Sequence, residues 1–158
     1  MARISPAPQR FERRVPGIDY AVLDGLVGYA LRRAQIAIYE DFEAALGPLA
    51  VTPQRFSALV VIAGNPGITQ GTLGRVLGIA RSGVVQVVHG LQEQGWVTRE
   101  AHGQDARTWL LKLTPEGSVL LTAARRRVRA HDARIGRRLN SVEREQLIAL
   151  LDLLGPED

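Results

Sequence analysis

Thr69-Gln70-Gly71-Thr72-Leu73-Gly74-Arg75-Val76-Leu77-Gly78-Ile79-Ala80-Arg81-Ser82-Gly83-Val84-Val85-Gln86-Val87-Val88-His89-Gly90-Leu91-Gln92-Glu93-Gln94-Gly95 is the stretch whose reading decides the fold. Thr69 is suited to cap a helix, Leu73, Val76 and Leu77 recur at helical steps as its inward side, and Gly78 breaks the pattern. After Ile79 a second helix begins. Val84, Val87, Val88 and Leu91 share one face of it, while Ser82, Gly83, Gln86, His89 and Gly90 fall towards the other.

Downstream the periodicity changes. Trp96-Val97-Thr98-Arg99 and Trp109-Leu110-Leu111-Lys112-Leu113 read as strands, joined by the polar link Ala101-His102-Gly103-Gln104-Asp105-Ala106-Arg107, which gives a hairpin with an exposed tip. Upstream, Thr52-Pro53 supplies a cap and a first-turn proline for a short helix with Phe56, Leu59, Val60 and Ala63 inward. Thr114-Pro115-Glu116 repeats that device and opens a helix running to about Arg138. Two short helices joined by Gly78-Ile79-Ala80 and followed by a hairpin predict a winged helix-turn-helix, whose second helix enters the major groove of DNA.

At the ends the pattern is longer. From Asp19 to Gly47, residues Leu23, Leu26, Val27, Ala30, Leu31, Ala34, Ile38, Phe42, Ala45 and Leu46 trace one face of a continuous helix, roughly 40 Å long at ~1.5 Å per residue. Ser141 is expected to cap a last helix with Leu147, Leu150, Leu151 and Leu154 inward. A stripe this long exceeds what one small core can cover, so the reading is of dimerisation helices paired with a second copy. The fold class is therefore mainly α with a small β-wing, a winged helix-turn-helix with flanking long dimerisation helices. Its expected division is an N-terminal arm at 1–17, a helical dimerisation region at 18–47 and 115–158, and a DNA-binding region at 48–114.

Composition narrows the function classes. A chain of 158 residues leaves no room for a second catalytic domain, and its longest apolar runs, such as Leu59 to Ala63, fall far short of a bilayer span. The N-terminus lacks an apolar secretory stretch, so a cytoplasmic location without membrane contact is expected. Cysteine is absent, which excludes disulfides, thiolate catalysis and Cys-ligated metals. His89, His102 and His131 fall in three different elements, each read as a polar surface residue, and no phosphate loop or nucleophile motif is present. Neither an enzyme, a metal site nor a cofactor is expected. Between Arg125 and Arg138 seven arginines face one acid, Asp132, a net +6 that suits either a solvated helix face or a surface meeting phosphate.

With these elements placed, the sequence resembles the multiple-antibiotic-resistance-regulator (MarR) family of bacterial transcription factors. The resemblance rests on Thr52-Pro53-Gln54, on Pro66-Gly67-Ile68-Thr69-Gln70, on Gly95-Trp96-Val97-Thr98-Arg99, and on Asp105-Ala106-Arg107 leading to Leu113-Thr114-Pro115-Glu116-Gly117. It implies that Ser82, Gly83, Gln86 and Val87 lie on the groove-facing part of the recognition helix, with Arg81, His89 and Arg99 beside them. Gln can pair bidentately with adenine, and Val can pack a thymine methyl. Arg107 on the wing would reach the minor groove or its phosphates, and Asp105 would orient the wing. Where family members often carry Arg this chain has Gln86, and where they carry an acid followed by Arg it has His89-Gly90. Ala106 likewise stands at a common Arg position.

Gly28-Tyr29-Ala30-Leu31-Arg32-Arg33-Ala34-Gln35 is similar to the matching stretch of members that control aromatic-acid catabolism, including those that sense hydroxycinnamates or their CoA thioesters. That likeness implies Tyr29, Arg32 and Arg33 as contacts for a small anionic aromatic ligand or its thioester. The alternative is that the two arginines pair with Glu40, Asp41 or other surface acids. The expected partners are thus a pseudo-palindromic operator in double-stranded DNA, a second copy of the chain, and that ligand, in a repressor released by it. Two other functions fit the same elements: a ligand-independent architectural DNA binder, and an interaction module that keeps the fold without binding DNA.

Overall fold

The computed structural model describes residues 11–102 and 105–155, with the side chains of 102–108 outside the described part. Two compact units divide the chain, Met1–Asp41 and Phe42–Asp158.

In the first unit the expected continuous helix is interrupted. Ala21–Gly25 forms a 3-10 turn, Leu26 is extended (ψ 121°), and helix α1 runs from Val27 to Leu46. The local chemistry accounts for the break. Gly25 and Gly28 each cost a helix about 1 kcal/mol relative to Ala, and the Asp19 carboxylate accepts from the Ala21 amide at 2.9 Å, a local bond that competes with helical pairing. The described part of the arm has no regular structure but is held in place. Arg14 pairs with Asp24 at 2.7 Å and lies over the Tyr20 ring, whose hydroxyl accepts from the Val15 amide.

The second unit follows the sequence reading closely: α2 (Pro53–Gly64), β1 (Ile68–Thr69), α3 (Gln70–Leu77), α4 (Arg81–Glu93), β2 (Val97–His102), β3 (Asp105–Leu113), α5 (Pro115–Ile135) and α6 (Ser141–Asp152). Thr52, Thr69 and Thr114 each cap through the hydroxyl, accepting from the amides of Arg55, Thr72 and Gly117. The last helix departs from expectation by one residue. Asn140, not Ser141, is its cap, in a reciprocal capping box with Glu143.

Antiparallel pairing puts β3 in the middle of a three-stranded sheet ordered β1-β3-β2. The hairpin strands are longer than expected, with Val97 opposite Leu113 and Arg99 opposite Leu111. The two-residue β1 was not expected at all. It exists because Ile68 and Thr69 meet Leu111 and Leu110, partners more than forty positions away.

One core joins the helix-turn-helix to the wing. Leu59, Ile62, Leu73, Val84, Val88, Leu91, Val97, Leu111 and Leu121 are all buried in it. Gly78, at φ +62°, makes the left-handed stop between α3 and α4 that a side chain would disfavour. Close helix packing needs another glycine: a Cβ on Gly74 would sit 3.3 Å from Val84 Cγ1. Val76, expected inward, is exposed, because the buried side of this two-turn helix is Leu73 and Gly74 with Leu77 at its edge. At α5 the Thr114 hydroxyl donates to the Gly95 carbonyl at 2.7 Å, and a Cβ on Gly117 would overlap the Trp96 carbonyl oxygen. The start of α5 is thereby pinned to the start of the wing.

His131 overturns the expectation of a surface histidine. It is buried in α5, edge-on to Phe42 at 5.4 Å between ring centroids. Helical phase explains it, since 131 continues the inward series Gly117, Leu121, Ala124 and Val128. In contrast α6 buries nothing: Leu147, Leu150 and Leu151 are exposed in the single chain, as is Leu154 just beyond its end. Among the described residues, no single helix is long and apolar enough to cross a membrane.

Candidate nucleic-acid interface

Helix α4 separates its two sides cleanly. Val84, Val87, Val88, Gly90 and Leu91 are buried, whereas Arg81, Ser82, Val85, Gln86, His89 and Glu93 are exposed. The exposed positions recur as i, i+1, i+4, i+5, i+8 and i+12, which is one solvent-facing stripe of a helix. It offers a cation, a hydroxyl, an apolar contact and an amide in close succession, a set suited to phosphate oxygens and base edges in a major groove.

Three expectations for this helix change. Val87 does not face outward: it is only 9% exposed and packs in the core, and Val85, 44% exposed, is the valine that faces out. Helical phase alone identifies it, since 85 shares the stripe of Arg81, Ser82 and His89. Gly83 is half-buried against Ile79, so it shapes the start of α4 more than it presents a contact. Gly90 is buried because the guanidinium of Arg55 lies over it. Ser82 and Gln86 stand where expected, and His89 is exposed, with Nδ1 3.4 Å from the Glu93 carboxylate one turn on.

Beside the stripe lies an open cleft of about 760 Å³ whose lining includes Gln70, Arg75, Ile79, Arg81, Val85 and Trp109. Thus the first helix of the motif, the recognition helix and the wing all contribute to one face. Arg99 on β2 is half-buried, and its Nε is enclosed without a hydrogen-bond partner among the described residues. It is therefore less open than an extended surface arginine. The side chains of Asp105 and Arg107, both expected on the wing, lie outside the described residues.

Within the first unit Tyr29 and Arg33 do meet, with the Arg33 guanidinium 5.0 Å from the ring centroid. Tyr20, which sequence spacing did not single out, adds its ring 6.2 Å from that of Tyr29. Arg32 is exposed one position away. The Arg125–Arg138 stretch spreads its seven arginines over the exposed sides of α5 and the turn after it. Arg127 donates to the Ala45 carbonyl at 3.1 Å, and Asp132 is paired with Arg144 of α6.

Comparison with known proteins adds independent findings. The MarR family model matches residues 51–108, from the residue before the Thr52 cap to the wing. A Thauera aromatica protein named for transcriptional regulation of the hcr operon is 36% identical over 135 residues, covering 85% of this chain and 81% of the relative. The transcriptional repressor CouR bound to a 23-mer DNA duplex superposes with a TM-score of 0.82 at 33% identity, over 85% of this chain and 96% of that one. CouR bound to p-coumaroyl-CoA gives 0.81 at 31% identity, over 89% and 99%.

Proposed function

The chain belongs to the MarR family and is a DNA-binding transcriptional regulator, not an enzyme; on that premise we propose that it is a homodimeric repressor released by a small anionic aromatic compound or its CoA thioester. The observation that carries the DNA part is the exposed stripe of α4, with Ser82, Val85 and Gln86 directed at base edges and Arg81 at phosphate. Arg107 of the wing reaches the minor groove or its phosphates, and Asp105 orients the wing. Residues 48–114 are the DNA-binding region, 18–47 and 115–158 the dimerisation region, and 1–17 an arm. Such a regulator works in the cytoplasm, where its operator is.

A second copy follows from the apolar faces left open at both ends. Leu23, Leu26 and Leu31 in the first unit, and Leu147, Leu150, Leu151 and Leu154 in the second, are exposed in one chain. Burying each is worth about 1.5–3 kcal/mol. Two recognition helices in a symmetric dimer then read half-sites about 34 Å apart in a pseudo-palindrome.

Ligand release rests on Tyr29, Arg32 and Arg33, a ring with two cations, which suits an aromatic carboxylate or a thioester's phosphates. The CouR complex with p-coumaroyl-CoA supports the ligand class. A tenfold weakening of DNA binding requires about 1.4 kcal/mol of coupling between the two sites. The test is a mobility shift on the DNA upstream of the chain's own coding sequence, titrated with aromatic acids and their thioesters and paired with calorimetry. Release by one of them, abolished in Arg32→Ala and Arg33→Ala, is the expected result. No binding by any member of the panel removes the signal part of the reading.

A further inference from the structure

The recognition helix is poor in charge for its task. Along Arg81–Glu93 the only arginine is Arg81 and the only acid is Glu93, so with His89 neutral the helix contributes no net charge. Attraction to the phosphate backbone, which supplies most non-specific affinity, has to come from neighbouring elements.

Arg55, in the first turn of α2, is placed to supply it. One end of its guanidinium is tethered, with Nη1 donating to the Ala50 carbonyl at 3.2 Å. Ala50 itself is in the left-handed region at φ +53°, which closes the short 3-10 turn Gly47–Leu49 ahead of α2. The other end lies across α4. A Cβ built on Gly90 would come within 2.7 Å of Nη2, 3.5 Å of Cζ and 3.6 Å of Nε. Only glycine at this position lets the guanidinium rest so closely against the helix. Gly90 follows Gln86 by one turn in the same column, and such positions have Cβ sites about 5–6 Å apart. The Arg55 guanidinium therefore lies against α4 one helical turn after Gln86.

A half-buried arginine ordinarily has a counter-charge. Arg55 forms no ion pair among the described residues, and of the five N–H donors of a guanidinium the Ala50 carbonyl takes one. The planar fork suits a phosphate bidentately. We propose that Arg55, seated over Gly90 and tethered to Ala50, holds a phosphate of duplex DNA beside the groove that α4 enters. Gly90 is then required because it makes room for that cation.

The inference rests on the DNA-binding reading but not on the operator or the signal, since a phosphate contact carries no sequence information. The experiment uses the full chain and a duplex lacking the operator, with affinity measured across salt concentrations. Arg55→Gln keeps a donor for Ala50 but loses the charge. It is expected to weaken binding about tenfold at 0.1 M salt and to reduce the slope of log affinity against log salt by about 0.9 for each chain bound. Arg55→Lys is expected to retain the slope and lose part of the affinity. Gly90→Ala, which displaces the guanidinium, is expected to weaken binding without lowering thermal stability. An unchanged salt slope in Arg55→Gln would overturn the proposal, even with weaker binding, because Arg55 would then be only a staple between α2 and α4. Absence of any duplex affinity in the unaltered chain would instead remove the DNA-binding reading itself, so the two failures are distinguishable.

Discussion

The winged module and helix α6 are built from similar apolar residues and place them in opposite surroundings. Leu59, Leu73, Leu91 and Leu111 are fully buried by partners within the same chain, whereas Leu150 is 61% exposed and Leu153, just beyond α6, 78%. Both regions have well-formed local structure. Asn140 caps α6 with a complete capping box, and Thr69 caps α3 through its hydroxyl. What differs is the source of the covering surface. The module closes its core with its own hairpin and the first half of α5, while α6 is a finished helix with an unfinished contact. An exposed apolar side of that kind is what the proposed dimer would cover.

The largest effect is expected where the comparison is attacked at its open side. Leu150→Asp with Leu154→Asp would place two carboxylates per chain in the proposed dimer interface, each costing several kcal/mol to bury unpaired. Sedimentation should then report a monomer at micromolar concentration, with the helical content of the chain retained and operator binding weakened by more than a hundredfold. A variant that remains dimeric would assign the α6 face to something other than self-association.

Next in size is the closed side. Leu59→Ala removes a fully buried side chain from the module core and should cost about 2–5 kcal/mol of unfolding free energy by denaturant titration. Its dimerisation at low temperature should be little changed. If the same substitution dissociated the dimer without lowering stability, the separation between a self-contained module and a partner-dependent end would fail.

A smaller effect is expected at the recognition surface, where exposure makes stability and function separable. Gln86→Ala should leave the melting temperature within experimental error and relax discrimination at one base position by about 1–3 kcal/mol. Arg107→Ala should weaken specific and non-specific DNA alike and lower the salt dependence. A uniform loss in Gln86→Ala across all sequences would assign this side chain to the backbone rather than to a base.

The smallest change is expected at the cap of α6. Asn140→Ala removes the acceptor for the Glu143 amide and should cost about 1 kcal/mol, read as a lowered melting temperature. A much larger loss would show that α6 depends on its own termini more than on a partner.

Much of this architecture was legible in the order of residues because its determinants are local. Thr52-Pro53, Thr69, Gly78 and Thr114-Pro115 act within a turn or two of where they stand, so the boundaries of α2 and α3 and the start of α5 could be read from caps, prolines and a left-handed glycine, whereas α5 ends at Ile135, short of the expected Arg138. The inward side of α4 followed from helical spacing for the same reason, whereas α2 buries Ala58, Leu59 and Ile62 and leaves the expected Phe56, Val60 and Ala63 only half-buried. The exposure of Ser82 and Gln86 on α4 was likewise legible, since an amphipathic helix declares its polar side.

What only the tertiary structure decided depended on residues distant in the chain. β1 exists through Leu110 and Leu111, the glycine at 90 is explained by an arginine on another helix, and His131 is buried because α5 continues its inward stripe against Phe42. Local spacing specifies which side of an element is apolar. Which neighbour covers it, and which polar group is enclosed in doing so, is determined by packing between elements, where burial of apolar area outweighs the preferences of single residues.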